Sequence, residues 1–165
     1  MSLKNKEVIS LKNKDCNFNY RDSVFKKGNL VILKSRLNLK PGDRDEIIKK
    51  IDENLSYKRE RHPMGCSAGS IFKNINKINI PQSHLILKNN VIKWSDKMPA
   101  GLLVDELGLK GYRIGNAIVS DKHGNFILNK GGASGRDISS LIELIKSRVK
   151  NRFGVVLEEE IRYIG

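Results

Sequence analysis

The strongest constraint on the fold lies near the end of the chain, at residues 134–154. Ser134 and Asp137 stand three apart, the spacing at which a hydroxyl and an acidic side chain close a helix's first turn on each other. Ile138, Leu141, Ile142, Ile145 and Val149 then recur at three- and four-residue steps, and Gly154 ends the run. A helix with one such stripe draws its stability from an apolar surface to lie on. Candidate partners stand on either side. Residues 112–120 and 125–129 read as two strands around His123-Gly124, and residues 155–157 with 161–164 read as a terminal strand. The order of these elements predicts an α+β fold with a small, mostly antiparallel sheet.

Residues 30–39 (LVILKSRLNL) read as the clearest early strand, four apolar residues followed by alternation, ended by Pro41-Gly42. Asp43, with Glu46 three residues on, starts a helix that carries Ile47, Ile48, Ile51 and Leu55 on one face; Pro63 prevents its continuation. A domain boundary is expected near Pro41–Asp43. Residues 1–11 form an extended polar lead, and 15–23 a turn-rich segment holding Phe18, Tyr20 and Arg21. Residues 65–74 (GCSAGSIFKN) read as a tight loop entering a strand. Residues 85–87 and 91–94 flank Asn89-Asn90 as a hairpin, and 100–107 form a short helix stopped at Gly108.

Composition narrows the function classes. With 39% hydrophobic residues among 165, the chain can build a globular core. It has no apolar run near the ~18 residues of a membrane span and no secretory signal at its start, so no membrane partner and a cytoplasmic location are expected. Cys16 and Cys66 stand 50 positions apart with no CxxC and no partner histidine at metal spacing, which argues against a disulfide framework and against a metal site. The net charge of +13 raises nucleic acid as a partner. The charge is spread evenly, however: 16 basic and 9 acidic residues in 1–62, 15 and 9 in 63–165. No nucleic-acid-binding motif accompanies it, so no nucleic-acid partner is expected.

Several groups could carry chemistry. GCSAGS offers close backbone approach and the Ser70 hydroxyl, or is a simple turn. KGGASGR (130–136) could cradle a phosphate at a helix start, or is a turn and cap. His123 sits in a connection between strands, where a histidine is commonly structural. In an extended tail, Glu158 and Glu160 share one side and Glu159 the other, unless all three form a solvated face. Burial of Glu160 would raise its pKa and suit it to acid work.

The order of four motifs points further. YRDSVF at 20–25, RHPMGCSAGSIFKN at 61–74, AGLLVDELGLKGYRIGNAIVSDKHGNFILN at 100–129 and FGVVLEEEIRYIG at 153–165 resemble the UDP-N-acetylenolpyruvoylglucosamine reductases, also called UDP-N-acetylmuramate dehydrogenases. These flavoenzymes complete UDP-N-acetylmuramate for peptidoglycan. The resemblance covers about residues 16–165 and implies an NADPH-dependent oxidoreductase that reduces UDP-N-acetylglucosamine enolpyruvate through FAD. Ser70 would be the proton donor at C2, with Glu160 assisting. Arg21 would hold the substrate carboxylate and stabilise the enolate. Arg61, Asn74 and His123 fall at substrate contacts, and Gly69 and Arg162 on the flavin side.

The chain departs from that pattern at several points. Glu159 stands where a proline is usual, so the loop before Glu160 is less constrained. His123 fits one branch of the family, another using an amide there. Residues 75–99 are longer than in compact members, and the stretch between Arg36 and Arg61 has no long loop with a substrate-clamping tyrosine, the short-loop type. Nothing resembles the glycine-rich loop on the flavin diphosphate. Residues 1–42 are therefore expected to be the C-terminal remnant of a FAD-binding domain, 43–155 a UDP-sugar-binding domain, and 156–165 a strand returning to the remnant. FAD binding is expected to be weak or absent in this chain, and the chain inactive by itself. The alternative is a basic α+β binding module for UDP-sugar or nucleic acid without catalysis.

Overall fold

A computed structural model describes residues 1–76 and 96–164. It divides into two compact units, Met1–Lys49 and Lys50–Gly165.

The first unit is loop-rich. Its chain start pairs with residues 29–31: Leu3 N–H donates to Asn29 O (2.9 Å) and Val31 N–H to Met1 O (2.9 Å). Two short 3₁₀ turns follow, Asn13–Cys16 and Val24–Lys27. The strand expected over 30–39 is not formed. Only Leu30 is bridged, to Ser2, and Ile32, Leu33, Leu37 and Leu39 are exposed. Alternation makes a segment competent to be a strand, but a strand exists only where an edge accepts its hydrogen bonds. Among the described residues that edge is the three-residue chain start.

Helix α1, Arg44–Arg61, begins where expected, with Asp43 Oδ1 accepting from Asp45 N and Glu46 N (both 3.0 Å). Its apolar stripe is uncovered: Ile47, Ile48, Ile51 and Leu55 are 48%, 45%, 51% and 44% exposed. Periodicity correctly places them on one face and does not supply a surface for that face.

The second unit carries the sheet. Strands β1 (Cys66–Ser70), β4 (Arg113–Ile114), β5 (Ala117–Val119) and β6 (Phe126–Asn129) form an antiparallel sheet in the order β1-β6-β5-β4. Residues 112–120, expected as one strand, fold instead as a hairpin through Gly115-Asn116. Strands β2 (Ile75–Asn76) and β3 (Lys97–Met98) pair separately. The hairpin expected around Asn89-Asn90 lies outside the described residues.

Helix α2, Ala100–Glu106, precedes Gly108 as expected. Helix α3, Gly135–Phe153, has the reciprocal cap its sequence announces: Asp137 N–H donates to Ser134 Oγ (3.1 Å) and Ser134 N–H to Asp137 Oδ2 (2.9 Å). Leu141, Ile142, Ile145 and Val149 are fully buried against Ala117, Val119 and Ile127 of the sheet and Leu103 and Val104 of α2. After Gly154 the tail does not form the expected strand. Val155 and Leu157 enter the core, and one antiparallel bridge joins Glu159 to Phe72.

Candidate active site

Residues 65–74 were expected as a loop entering a strand, but Cys66–Ser70 is itself the edge strand β1, and it is bulged. Cys66 faces Asn129 and Ser67 faces Leu128, yet Ser70 faces Phe126. Three residue steps on β1 therefore oppose two on β6. The surplus residue is absorbed at Ala68-Gly69, where Gly69 takes φ +83°. A bulge re-aims the side chains that follow it, and glycine is the residue that adopts this φ without strain. A side chain added at Gly69 would meet nothing within 4 Å, so the strand presents a bare face there. Ser70, half-buried, ends the strand beside it.

The next three residues are gripped from both sides. On one side is Asn125, buried at 4% exposure. Ile71 N–H donates to Asn125 O (2.9 Å), Phe72 N–H to Asn125 Oδ1 (2.9 Å), and Asn125 Nδ2 to Phe72 O (2.9 Å). On the other side the tail returns: Glu160 N–H donates to Ile71 O (2.7 Å) and Lys73 N–H to Glu158 O (2.9 Å). The Ile71–Phe72 peptide, one residue beyond Ser70, is thus bonded to the backbone of Glu160, which lies 90 positions from Ser70 in sequence.

The three glutamates do not follow the expected alternation of Glu158 and Glu160 on one side and Glu159 on the other. Glu158 pairs with Lys73 at the surface. Glu159 is half-buried and bonded to Lys146 Nζ (2.9 Å) and Tyr163 Oη (2.8 Å), and Glu160 is half-buried as well. Burial opposes ionisation of Glu159, but its bonds to Lys146 and Tyr163 outweigh it and hold the carboxyl below its ordinary range. The run is therefore not a uniform solvated face.

His123 sits on α2: a Cβ added at Gly101 would lie 3.0 Å from His123 Cε1. Asn125 N–H donates to His123 Nδ1 (3.1 Å), so the neutral ring carries its proton on Nε2. Burial pushes its pKa down; Asp105 opposes this, and His62 and Lys110 add to it. The His123 ring lies 5.0 Å from that of Phe126, the residue facing Ser70, and His62 lies 5.2 Å from Phe126 on another side. Arg61, exposed at the end of α1, stacks over Tyr57 at 4.2 Å, one residue before His62. Asn74 is exposed just before β2, and Arg162 is exposed in the tail. Arg21 belongs to the first unit. It takes φ +54° in the turn where Asn19 and Asp22 exchange backbone bonds (3.0 and 3.1 Å), a strained conformation for a side chain of this size.

Two residues with evident roles here escaped the sequence reading. Asn125 signalled itself only as a polar residue between Gly124 and an apolar strand, and His62 only as a histidine before Pro63. No group of three or more potential metal ligands occurs among the described residues, and no helix there is long and apolar enough to cross a membrane.

Fold and site together define an α+β domain in which a bulged edge strand displays a serine and the domain's own tail returns to pair beside it. The family model described as "UDP-N-acetylenolpyruvoylglucosamine reductase, C-terminal domain" matches residues 61–164, and the chain belongs to this family. It is 41% identical over 158 residues to UDP-N-acetylenolpyruvoylglucosamine reductase 1 of Bacillus cereus, covering 94% of this chain and 46% of that protein. It is 37% identical over 158 residues to the Fervidobacterium nodosum reductase, at 94% and 45% coverage. The crystal structure of the Thermus caldophilus reductase superposes with a TM-score of 0.65 at 33% identity, over 90% of this chain and 46% of that one. The chain thus spans about half the length of the relatives it matches.

Proposed function

We propose that this chain supplies the substrate-binding and proton-donating half of a flavin-dependent reductase acting on UDP-N-acetylglucosamine enolpyruvate in peptidoglycan synthesis. The observation that supports the reading is the bond from Glu160 N–H to Ile71 O at 2.7 Å, which joins the backbone of a carboxyl-bearing residue to the residue after Ser70. The bare face at Gly69 suits a flat ring lying against β1, so the residues present fit the flavin as one wall of its site. The chemistry supplied by bound FAD, itself reduced by NADPH, is hydride delivery to C3 of the enolpyruvyl ether.

The chain's own residues do the rest. Ser70 holds the proton destined for C2, and the clamp of Asn125 on Phe72 steadies the backbone that follows it. Glu160 assists as an acid beside it. Arg21 holds the substrate carboxylate, where charge develops as hydride arrives, and a guanidinium matches that planar group with two parallel bonds. His123 offers Nε2–H as a neutral donor to the UDP-sugar, with Asn74 and Arg61 as further contacts. Arg162 and Gly69 would help to hold the flavin when it is bound. Residues 1–42 act as the remnant of the FAD-binding domain, 43–155 as the UDP-sugar domain, and 156–165 as the closing tail, in a cytoplasmic enzyme.

The test joins this chain to the flavin-binding N-terminal half of the Bacillus cereus relative and follows flavin absorbance by stopped flow. Ser70→Ala is expected to leave reduction by NADPH nearly intact and to slow reoxidation by the enolpyruvyl substrate ~10²–10⁴-fold, the loss typical of a general acid. Equal slowing of both half-reactions removes Ser70 from the mechanism. A fusion that binds UDP-N-acetylmuramate but never reoxidises favours the binding-module alternative.

A further inference from the structure

The tail that carries Glu160 leaves the core after Leu157 and touches it again at the partly buried Ile161; between them it meets β1's continuation through two backbone bonds, Glu160 N–H to Ile71 O and Lys73 N–H to Glu158 O, and the exposed Lys73–Glu158 ion pair. So short a pairing opens readily unless side chains hold it. One cluster ties it to α3. Lys146, on the fourth turn of α3, donates to Glu159 Oε1 (2.9 Å) and to Glu143 Oε1 (2.7 Å). Tyr163, four residues beyond Glu159, donates its hydroxyl to Glu159 Oε2 (2.8 Å). Both oxygens of Glu159 are therefore engaged, one by the rigid helix and one by the far end of the tail. The Glu159 carboxylate is the better shielded partner, its side chain 19% exposed against 30% for Lys146. Glu143 keeps Lys146 extended towards the tail.

We propose that Lys146, Glu159 and Tyr163 form a positioning device that pins the returning tail to α3 and so holds Glu160 against the strand that follows Ser70. This rests on the reading that Glu160 acts there, and none of the three is itself a catalytic residue. Glu159 is the hinge of the device. Its side chain points to α3 while its neighbours' backbones bond to Ile71 and Lys73. Its own N–H takes no part in that pairing. A proline at 159 would therefore break no ladder bond, and it would stiffen the extended tail without any help from Lys146.

Amide hydrogen exchange of the 165-residue chain, followed by NMR, tests this. Lys146→Met is expected to speed exchange of the Glu160 and Lys73 amides about three- to tenfold, the effect of losing a partly shielded ion pair. The core amides of Val119 and Ile145 should be unchanged. Lys146→Arg should keep the slow exchange. Lys146→Met combined with Glu159→Pro should restore it, which a merely global stabilising role of Lys146 would not allow. Unchanged Glu160 exchange in Lys146→Met, or equal acceleration of every amide, overturns the device. Adding UDP-N-acetylmuramate separates the two levels. If it leaves Ser70, His123 and Glu160 unaffected while the Lys146 variants behave as stated, the tether stands and the functional reading falls.

Discussion

Replacing Asn125 by alanine removes a carbonyl that accepts from Phe72 N–H and an amide that donates to Phe72 O, both at 2.9 Å and both buried. Phe72 is itself fully buried, so its N–H and C=O lose their partners in a place where water does not replace them. An unsatisfied buried polar group costs about 1–3 kcal/mol, so two together, eased by some local relaxation, predict a loss of about 2–5 kcal/mol. The backbone bond from Ile71 N–H to Asn125 O remains, so the strand is loosened rather than lost. Asn125→Asp sharpens the test. It keeps an acceptor for Phe72 N–H but turns the donor facing Phe72 O into a second oxygen. A carboxylate forced into that place has a raised pKa, so its penalty is full at neutral pH and eases as acid supplies the missing proton. Urea unfolding at pH 7 and pH 5 measures both variants. An Asn125→Ala midpoint within error of the parent would refute the claim that this side chain holds the segment after Ser70.

Leu141→Ala should cost about 2–5 kcal/mol, because the side chain is fully buried where α3 meets the sheet; a thermal melt unchanged by it would mean that α3 does not rest there. Gly69→Ala should cost about 1–2 kcal/mol from backbone strain alone, since φ is +83° and no atom obstructs the new methyl; a gain in stability, usual where glycine is replaced in ordinary backbone, would refute the bulge. Acid should weaken the domain in two stages. His123 has a pKa held below its ordinary 6.5, so its contribution is complete above that value and is lost as pH falls through the folded value; His123→Gln should flatten this stage in melts from pH 8 to 5. Glu159 follows at lower pH, being held below 4.5, and Lys146, raised above 10.5, releases the tail only in strong alkali; Glu160 amide exchange should therefore be level between those limits after correction for intrinsic rates.

Helix α3 was fully legible because everything that defines it is local. Ser134 reaches Asp137 within one turn, the stripe repeats with the helical period, and Gly154 takes the left-handed φ of 67° that ends it. The same holds for the start of α1 at Asp43 and the stop at Gly108 after α2. Strands were less legible because their hydrogen bonds go to distant partners. Residues 30–39 have the apolar pattern of a strand and no adequate edge among the described residues, and the Ile47, Ile48, Ile51 and Leu55 face has a period and no cover. The order of motifs along the chain made Ser70 and Glu160 candidates. Only the tertiary structure put the Glu160 backbone on Ile71, shifted β1 by one residue at Gly69, and turned Glu159 towards Lys146. Each of those facts depends on which chain segment lies alongside which. A sequence pattern fixes which face of a segment is apolar, whereas the neighbour that receives the face is fixed only when the whole core closes.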